Sequence, residues 1–239
     1  MTPFPCFVGW DSREQIAYQV CRWSLIRRSS IPVRVDPIKQ NSHPGFLRRL
    51  QAMPDDRMWD EPSGAYASTE FAVARFLVPF LTEHQGWALF CDADMLWCDD
   101  VARLLDARDD RFALMVVKHA IDDAAGVKMD GQPQQPYARK GWSSLVLWNC
   151  AHPAHRRLRM SDLNGTPGRD LHRFCWLSDA DIGALDPRWN WLEGYGDPGA
   201  RKSVIHYTRG GPWFPGWEGV AHAHEWTAER DHWKAAHDR

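Results

Sequence analysis

The sequence predicts a single α/β domain over residues 1–239, built on a mixed, mostly parallel central sheet flanked by helices. Three observations carry that expectation. The length of 239 residues suits one large α/β domain better than two. Short apolar segments of strand type alternate with helical segments early in the chain and mix with them later. Acidic or polar residues directly follow several of these strands, at Asp11, Asp92, Asp94 and after His206. In parallel sheets, ligands gather at those carboxyl ends.

Residues 6–10 read as the first strand. Asp11 and Ser12 then offer helix caps, with Glu14 in the first turn. Ile16, Ala17, Val20, Trp23 and Leu25 follow helical spacing as far as Arg28. A second strand follows Pro32, at residues 33–35. Residues 40–66 carry Pro, Gly, Asp and Ser without periodicity and read as a loop, with a helical turn at 46–50. A helix is expected from Ser68 to Thr82, then the strand Trp87–Cys91, a short helix Val101–Leu105 and a buried strand at 112–117. Residues 122–136 read as a loop and residues 142–148 as a strand. Residues 152–162 and 170–177 read as helices around the turn-rich Asn164-Gly165-Thr166-Pro167-Gly168. Short strands are expected at 189–191 and 204–206, and a terminal helix at 225–236, within 223–237.

Composition narrows the function. Hydrophobic residues make up 44% and charged residues 25%, enough for an ordinary packed core. A net charge of -2 argues against a whole-protein electrostatic grip on nucleic acid. No segment has the apolar length of a membrane span. The start, Met1-Thr2-Pro3-Phe4-Pro5, lacks the basic and apolar regions of a secretory signal. The expected location is the cytoplasm, or the periphery of the inner membrane. The cysteines at 6, 21, 91, 98, 150 and 175 form no CxxC pair and fit reduced thiols better than disulfides or a zinc site. Fourteen tryptophans tilt the substrate toward something with rings, although each one singly reads more readily as packing.

The chemistry concentrates in Ala88-Leu89-Phe90-Cys91-Asp92-Ala93-Asp94. Strand side chains alternate faces, but a turn just after the strand can bring both carboxylates onto one cation. Mg2+ or Mn2+ takes oxygen ligands and binds through a few carboxylates plus substrate phosphates. The segment is therefore a candidate seat for a metal-bound nucleotide diphosphate. Taken alone, two acids after a strand are more often a solvated loop or a helix cap.

Further segments occur in an order that carries a resemblance: Phe7-Val8-Gly9-Trp10-Asp11, Ser68-Thr69-Glu70-Phe71-Ala72-Val73-Ala74-Arg75-Phe76, Phe90-Cys91-Asp92-Ala93-Asp94, Ser143-Ser144-Leu145-Val146-Leu147-Trp148-Asn149, Asp179-Ala180-Asp181-Ile182, and His206-Tyr207-Thr208-Arg209-Gly210-Gly211-Pro212-Trp213. Together they span most of the chain and resemble retaining glycosyltransferases of the GT-A fold, most of all glycosyltransferase family 8 (galactosyl- and glucosyltransferases). The resemblance implies transfer of a hexose from a nucleotide-diphosphate sugar, a UDP-sugar, to an acceptor hydroxyl, with Mn2+ or Mg2+ as cofactor. The acceptor would be a glycan, a lipid-linked, protein or other hydroxyl, with a modified nucleobase as one further class.

The resemblance also implies roles. Asp92, Asp94 and His206 would hold the ion, with Ala93 between the two carboxylates. Phe7, Gly9 and Asp11 would lie at the nucleoside. Arg75 would lie near the donor phosphates and sugar, where a planar guanidinium suits both. Ser144, with Ser143, and Asn149 would read sugar hydroxyls. Asp179 and Asp181 would be the catalytic acidic pair facing the donor sugar. Arg209, Gly210 and Gly211 would meet the diphosphate, and Trp213, with Trp217, would wall the site. Each has an ordinary alternative: a helix cap for Asp11, a structural hydrogen bond for His206, a surface helix position for Arg75, strand-end polarity for the serines and Asn149, and an acidic capping turn for Asp179 and Asp181.

The chain departs from the family pattern at two points. Gly211 stands where the family places a lysine before Pro-Trp, so Arg209, Lys202 or Arg201 would supply the charge, or the glycines would bring backbone N–H groups to phosphate. Ala180 stands where the family has Gln. Retention would proceed by a front-face route or by double displacement with Asp179 or Asp181 as nucleophile. Residues 122–136 and the segment after Gly210 would close over the donor. Two rival readings stand beside this one. A sugar-nucleotide nucleotidyltransferase needs a glycine-rich basic phosphate loop that Val8-Gly9-Trp10-Asp11 lacks. A tryptophan-rich carbohydrate-binding protein would need no metal-bound nucleotide. The C-terminal histidines 222, 224, 232 and 237 lack zinc-ligand spacing, and an amphipathic helix reads better there.

Overall fold

The structure is a computed structural model that describes residues 2–55, 57–120 and 139–237. The loop expected at 122–136 lies outside the described residues. In chain order the elements are β1 (Phe4–Gly9), α1 (Gln15–Arg28), β2 (Val33–Ile38), β3 (Leu50–Ala52), β4 (Met58–Asp60), β5 (Ala65–Ala67), α2 (Val78–Leu81) and β6 (Trp87–Cys91). There follow β7 (Met95–Trp97), α3 (Val101–Leu105), β8 (Leu114–Val116), β9 (Leu145–Asn149), α4 (Met160–Gly165) and α5 (Gly168–His172). The chain ends with β10 (Ile182–Ala184), β11 (Trp191–Leu192), β12 (Val204–His206) and α6 (Ala223–His237).

The central sheet has the order β10-β8-β9-β6-β1-β2. β1 runs parallel to β2 and β6, β8 runs parallel to β10, and β9 is antiparallel to both of its neighbours. The carboxyl ends of five strands therefore share one edge with the amino end of β9. Both faces are buried, which is why these strands read as continuous apolar runs. Alternation sorts them: Phe7, Phe90, Leu114, Val116, Val146 and Trp148 enter the core on one face. Cys6, Val8, Leu89, Cys91, Met115 and Leu147 enter the other. The first face is covered by Phe71–Val78 and by Leu163, Leu171 and Phe174, the second by α1 and α3. A second sheet, β11-β12-β7, packs with Val20 and Trp226 into a third cluster. Glu229 of α6 is buried between Arg27 and Arg28 at 2.8 and 2.7 Å, tying α6 to the end of α1. Trp97, Trp148, Trp189 and Trp226 are fully buried; truncating any one costs about 3–5 kcal/mol.

Several expectations are corrected. Residues 40–66 hold β3, β4 and β5, an antiparallel sheet whose three-residue strands are too short for alternation to show. Trp59 and Tyr66 pair across it at 5.2 Å, and Arg49 and Asp60 form a buried pair beneath it at 2.6 Å. The helix expected from Ser68 is replaced by turns, then the 3-10 turn Ala74–Leu77, with α2 starting only at Val78. Pro79 explains this, because proline lacks the N–H that a helix interior needs and fits only the first turn. Residues 152–162 split into the 3-10 turn Pro153–Arg157 and α4, and residues 142–144 form a 3-10 turn before β9. Asn190 lies in the 3-10 turn Pro187–Asn190 rather than in a strand. β7 and β10 were not foreseen. The six cysteines are free thiols, four of them buried, while Cys98 and Cys175 are exposed. No helix among the described residues is long and apolar enough to cross a membrane.

Candidate functional site

β6 ends at Cys91 and β7 begins at Met95, so Asp92, Ala93 and Asp94 are the whole connection between two sheets. The turn is pinned on both sides: the Asp92 N–H donates to Ser144 O and the Tyr207 N–H donates to Asp94 O, each at 2.9 Å. β12 pairs antiparallel with β7, setting His206 opposite Met95, one residue past Asp94. Ligand-capable atoms of Asp92, Asp94 and His206 thereby come within 4.8 Å of one another. Ala93 itself is buried in the core beneath them.

The donor set fits a hard divalent cation: two carboxylates and an imidazole. Asp94 Oδ1 is buried without a hydrogen-bond donor among the described residues and lies 3.3 Å from His206 Nε2. A buried acceptor with no donor is costly, and a cation would satisfy it. His206 Nδ1 hydrogen-bonds Asn190 Oδ1 at 2.9 Å, which turns Nε2 toward the carboxylates.

Arg75 is a buried brace rather than a surface helix residue. One terminal nitrogen lies 2.7 Å from Asp92 Oδ1 and donates to Ser143 O at 3.0 Å, while Nε donates to Ala72 O at 3.0 Å. Its guanidinium sits 5.1 and 5.2 Å from the ring centres of Phe71 and Phe90, a cation–π arrangement. Ser144, at the amino end of antiparallel β9, reaches the same edge as the acids and accepts from Asn190 Nδ2 at 2.9 Å.

Other expected residues stand elsewhere or serve differently. Asp11 is fully buried and accepts from Arg13 N, Nε and a terminal nitrogen, and from Glu70 N. Those four donors occupy its acceptor positions. Burial alone would raise its pKa, but the Arg13 hydrogen bonds and charge outweigh burial and hold the carboxyl below the usual range. Phe7 points into the core. Gly9 is required by packing, because a Cβ there would lie 2.4 Å from the Phe71 ring.

Asn149 lies away from the acids. It pairs with Trp87 at the start of β6 and donates to Phe112 O at 3.1 Å, on the edge opposite the acids. Antiparallel β9 carries its two ends to opposite edges. Asp179 and Asp181 also lie away from Asp92 and Asp94. They precede β10, which runs parallel to β8, so they lie at the amino edge. Asp179 is 83% exposed and paired with Arg139 at 2.7 Å. Asp181 accepts from Ser178 N and Oγ at 2.9 and 2.8 Å, a capping box. Of the candidate cations, Arg201 and Lys202 precede β12 and bind Asp99 and the carbonyls of Pro198 and Ala200. Arg209 follows His206, pairs with Glu193 at 2.9 Å, and has its Nε–H buried without an acceptor among the described residues. Gly210 adopts φ 130°, and Gly211 lies under the Trp213 ring, where a Cβ would approach to 2.0 Å. Trp213 donates to Glu14 Oε2 at 3.1 Å and packs on Trp226 at 5.1 Å.

Three site residues were missed. Glu14 was read only as a first-turn acid; burial, then the charges of Asp94 and Asp11, push it up to about 8. His119 follows β8, and burial, then His206, pulls it down to about 4. Asn190 is fully buried behind His206. Only His119, a polar residue just past a strand, carried a readable signal.

No family model matches the chain. Protein CDI of Arabidopsis thaliana is 44% identical over 234 residues, covering 96% of this chain and 86% of that protein. Among solved structures, the bifunctional glycosyltransferase WbbM superposes with a TM-score of 0.66 at 14% identity over 95% of this chain. The chain spans 49% of WbbM, about half its length. The galactosyltransferase LgtC, in complex with donor and acceptor sugar analogues, gives a TM-score of 0.63 at 14% identity, covering 96% of both chains. GlyE of Streptococcus pneumoniae gives 0.60 at 16% identity, over 99% of this chain and 64% of that one. At these identities the structural matches establish the GT-A fold, and the sequence match establishes kinship. The chain belongs to the family of Protein CDI and is built on the GT-A glycosyltransferase fold.

Proposed function

We propose that this chain is a metal-dependent retaining glycosyltransferase of the family 8 type. It would act as one domain over residues 1–239 and move a hexose from a UDP-sugar to an acceptor hydroxyl. The observation that carries this reading is the gathering of Asp92, Asp94 and His206 within 4.8 Å at the carboxyl edge of a GT-A sheet. In this reading those three residues hold Mn2+ or Mg2+, which offsets the charge of the departing diphosphate. Arg75 fixes the Asp92 carboxylate, and Arg209, whose Nε–H has no acceptor among the described residues, would offer it to phosphate. The LgtC galactosyltransferase, matched along 96% of its length, binds donor and acceptor sugar analogues and supports this substrate class. With Asp179 and Asp181 at the far edge, we favour the front-face route, which asks for no protein nucleophile.

The test is thermal stability with a panel of nucleoside diphosphates, with and without Mn2+, on the wild type and Asp94→Ala. We expect a melting rise with UDP that requires Mn2+ and is absent in the variant, because a ligand bound only by the folded state stabilises it. UDP release from UDP-sugars would follow. No shift with any nucleotide would bring forward the carbohydrate-binding reading, and pyrophosphate release from a nucleoside triphosphate would bring forward the nucleotidyltransferase.

A further inference from the structure

Behind His206 lies a chain of hydrogen bonds with one direction. Gly141, at φ 77°, turns its carbonyl toward Ser144, whose hydroxyl donates to it at 2.9 Å. Ser144 Oγ accepts from Asn190 Nδ2 at 2.9 Å, and Asn190 Oδ1 faces His206 Nδ1 at 2.9 Å. Every side chain in the relay is buried: Ser144 is 5% exposed, Asn190 0% and His206 3%. The relay is closed to bulk solvent.

A carbonyl oxygen only accepts, so the polarity of the relay is set at Gly141. The Ser144 proton goes to the carbonyl, which leaves Oγ to accept. The Asn190 amide must then point its NH2 at Ser144 and its oxygen at His206. An amide oxygen also only accepts, so Nδ1 carries the imidazole proton. Placing the proton on Nε2 would set two lone pairs against each other at Nδ1. Rotating the Asn190 amide to relieve this would set its oxygen against Ser144 Oγ, whose proton would then have to leave Gly141. Each remedy breaks the next link.

We propose that Ser144 and Asn190 are positioning residues that lock His206 in the Nδ1–H tautomer, aiming the Nε2 lone pair at Asp94 and Asp92. This reassigns Ser144 from the donor sugar to the support of the ligand set. It also accounts for Asp94 Oδ1, which lies 3.3 Å from Nε2 and yet receives no hydrogen bond among the described residues: both atoms are acceptors held in place for a third party. A ligating histidine commonly has its second nitrogen fixed this way, and loss of such a partner weakens metal binding about 10–100-fold. The effect on affinity rests on the metal reading of the site; the tautomer does not.

The test begins with metal-free, 15N-histidine-labelled protein in mildly alkaline buffer. We expect His206 to show a pyrrole-like Nδ1 and a pyridine-like Nε2 in the wild type, to lose that pattern in Asn190→Ala, and to keep it in Asn190→Asp, where one carboxylate oxygen still accepts from Nδ1–H and the Ser144 hydroxyl turns from Gly141 to donate to the other. Mn2+ titration should then show about 10–100-fold weaker binding in Asn190→Ala, recovery in Asn190→Asp, and a smaller loss in Ser144→Ala. Thermal melts establish that each variant is folded. A proton on Nε2 in the wild type, or an unchanged tautomer in folded Asn190→Ala, overturns the proposal. So does a lost tautomer with Mn2+ affinity held within about twofold. A wild type that takes no Mn2+ refutes the metal reading, while the nitrogen spectrum still decides the lock.

Discussion

The tripeptide Asp-Ala-Asp occurs twice in this chain, at 92–94 and at 179–181. The first follows β6, and the second precedes β10. In a sheet whose strands run mostly one way, that single difference sends the two segments to opposite edges. At the carboxyl edge, Asp92 and Asp94 are half-buried, Arg75 braces Asp92, both converge with His206, and Asp94 Oδ1 lacks a donor among the described residues. At the amino edge, Asp181 is consumed in capping Ser178, and Asp179 pairs with Arg139 at the surface. There the hydrogen bonds go to closing the fold: Asp181 O accepts from Ala113 N at 2.8 Å, and Ala113 O accepts from His155 Nε2 at 2.8 Å. The same three residues thus leave chemistry open at one edge and exhaust it at the other.

The comparison is broken most directly by paired substitutions. Asp94→Ala should cost at least about 100-fold in kcat/KM, the several kcal/mol expected of a lost metal contribution. Asp179→Ala should stay within about threefold and within about 0.5 kcal/mol of wild-type stability, as for an ordinary surface position. If steady-state kinetics showed a folded Asp179→Ala protein to be inactive, the amino edge would have to reach the substrate after all. Next in size is Arg75→Met. Removing one partner of a buried pair costs about 3–5 kcal/mol in urea unfolding without metal. Part of that loss should return when Mn2+ is added, because the ion would offset the Asp92 charge. An equal loss with and without Mn2+ would remove Asp92 from the ligand set.

Two smaller effects sharpen the amino edge. His155 is buried against Trp148, and burial pulls its pKa down to about 4 from an ordinary 6.5. The folded value lies below the unfolded one, so its contribution is complete above pH 6.5 and is lost as pH falls toward 4. The loss is on the order of 3 kcal/mol. Denaturation at several pH values should show that slope in the wild type and a slope smaller by His155's share in His155→Gln, where His119, depressed to the same value, still contributes. Asn149→Ala should cost about 1 kcal/mol, the worth of its hydrogen bonds to the backbone, with UDP and Mn2+ binding unchanged. Weakened nucleotide binding at unchanged stability would return Asn149 to the donor site.

Much of this was legible in the sequence. Short apolar runs ending in polar residues identify β1, β6 and the edge that carries Asp92 and Asp94, because runs of five or six residues bounded by turn residues fit a strand buried on both faces better than a helix. α1 and α6 follow from spacing and end charges. His206 and Arg75 were picked out by resemblance; the structure sets His206 within 4.8 Å of both carboxylates and Arg75 at 2.7 Å from Asp92. Strand direction was not legible. Nothing local says that β9 runs against its neighbours, yet that direction alone puts Ser144 at the site and Asn149 away from it. Nor does a tripeptide state whether it enters or leaves a strand. Asn190 shows the same limit: its importance comes from Gly141 and His206, far away in sequence and within one hydrogen-bonded relay in space. Apolar periodicity determined the elements because burial is read residue by residue. Which polar groups meet was decided only when the sheet assembled, because hydrogen bonds and ligand sets depend on distances that no local pattern encodes.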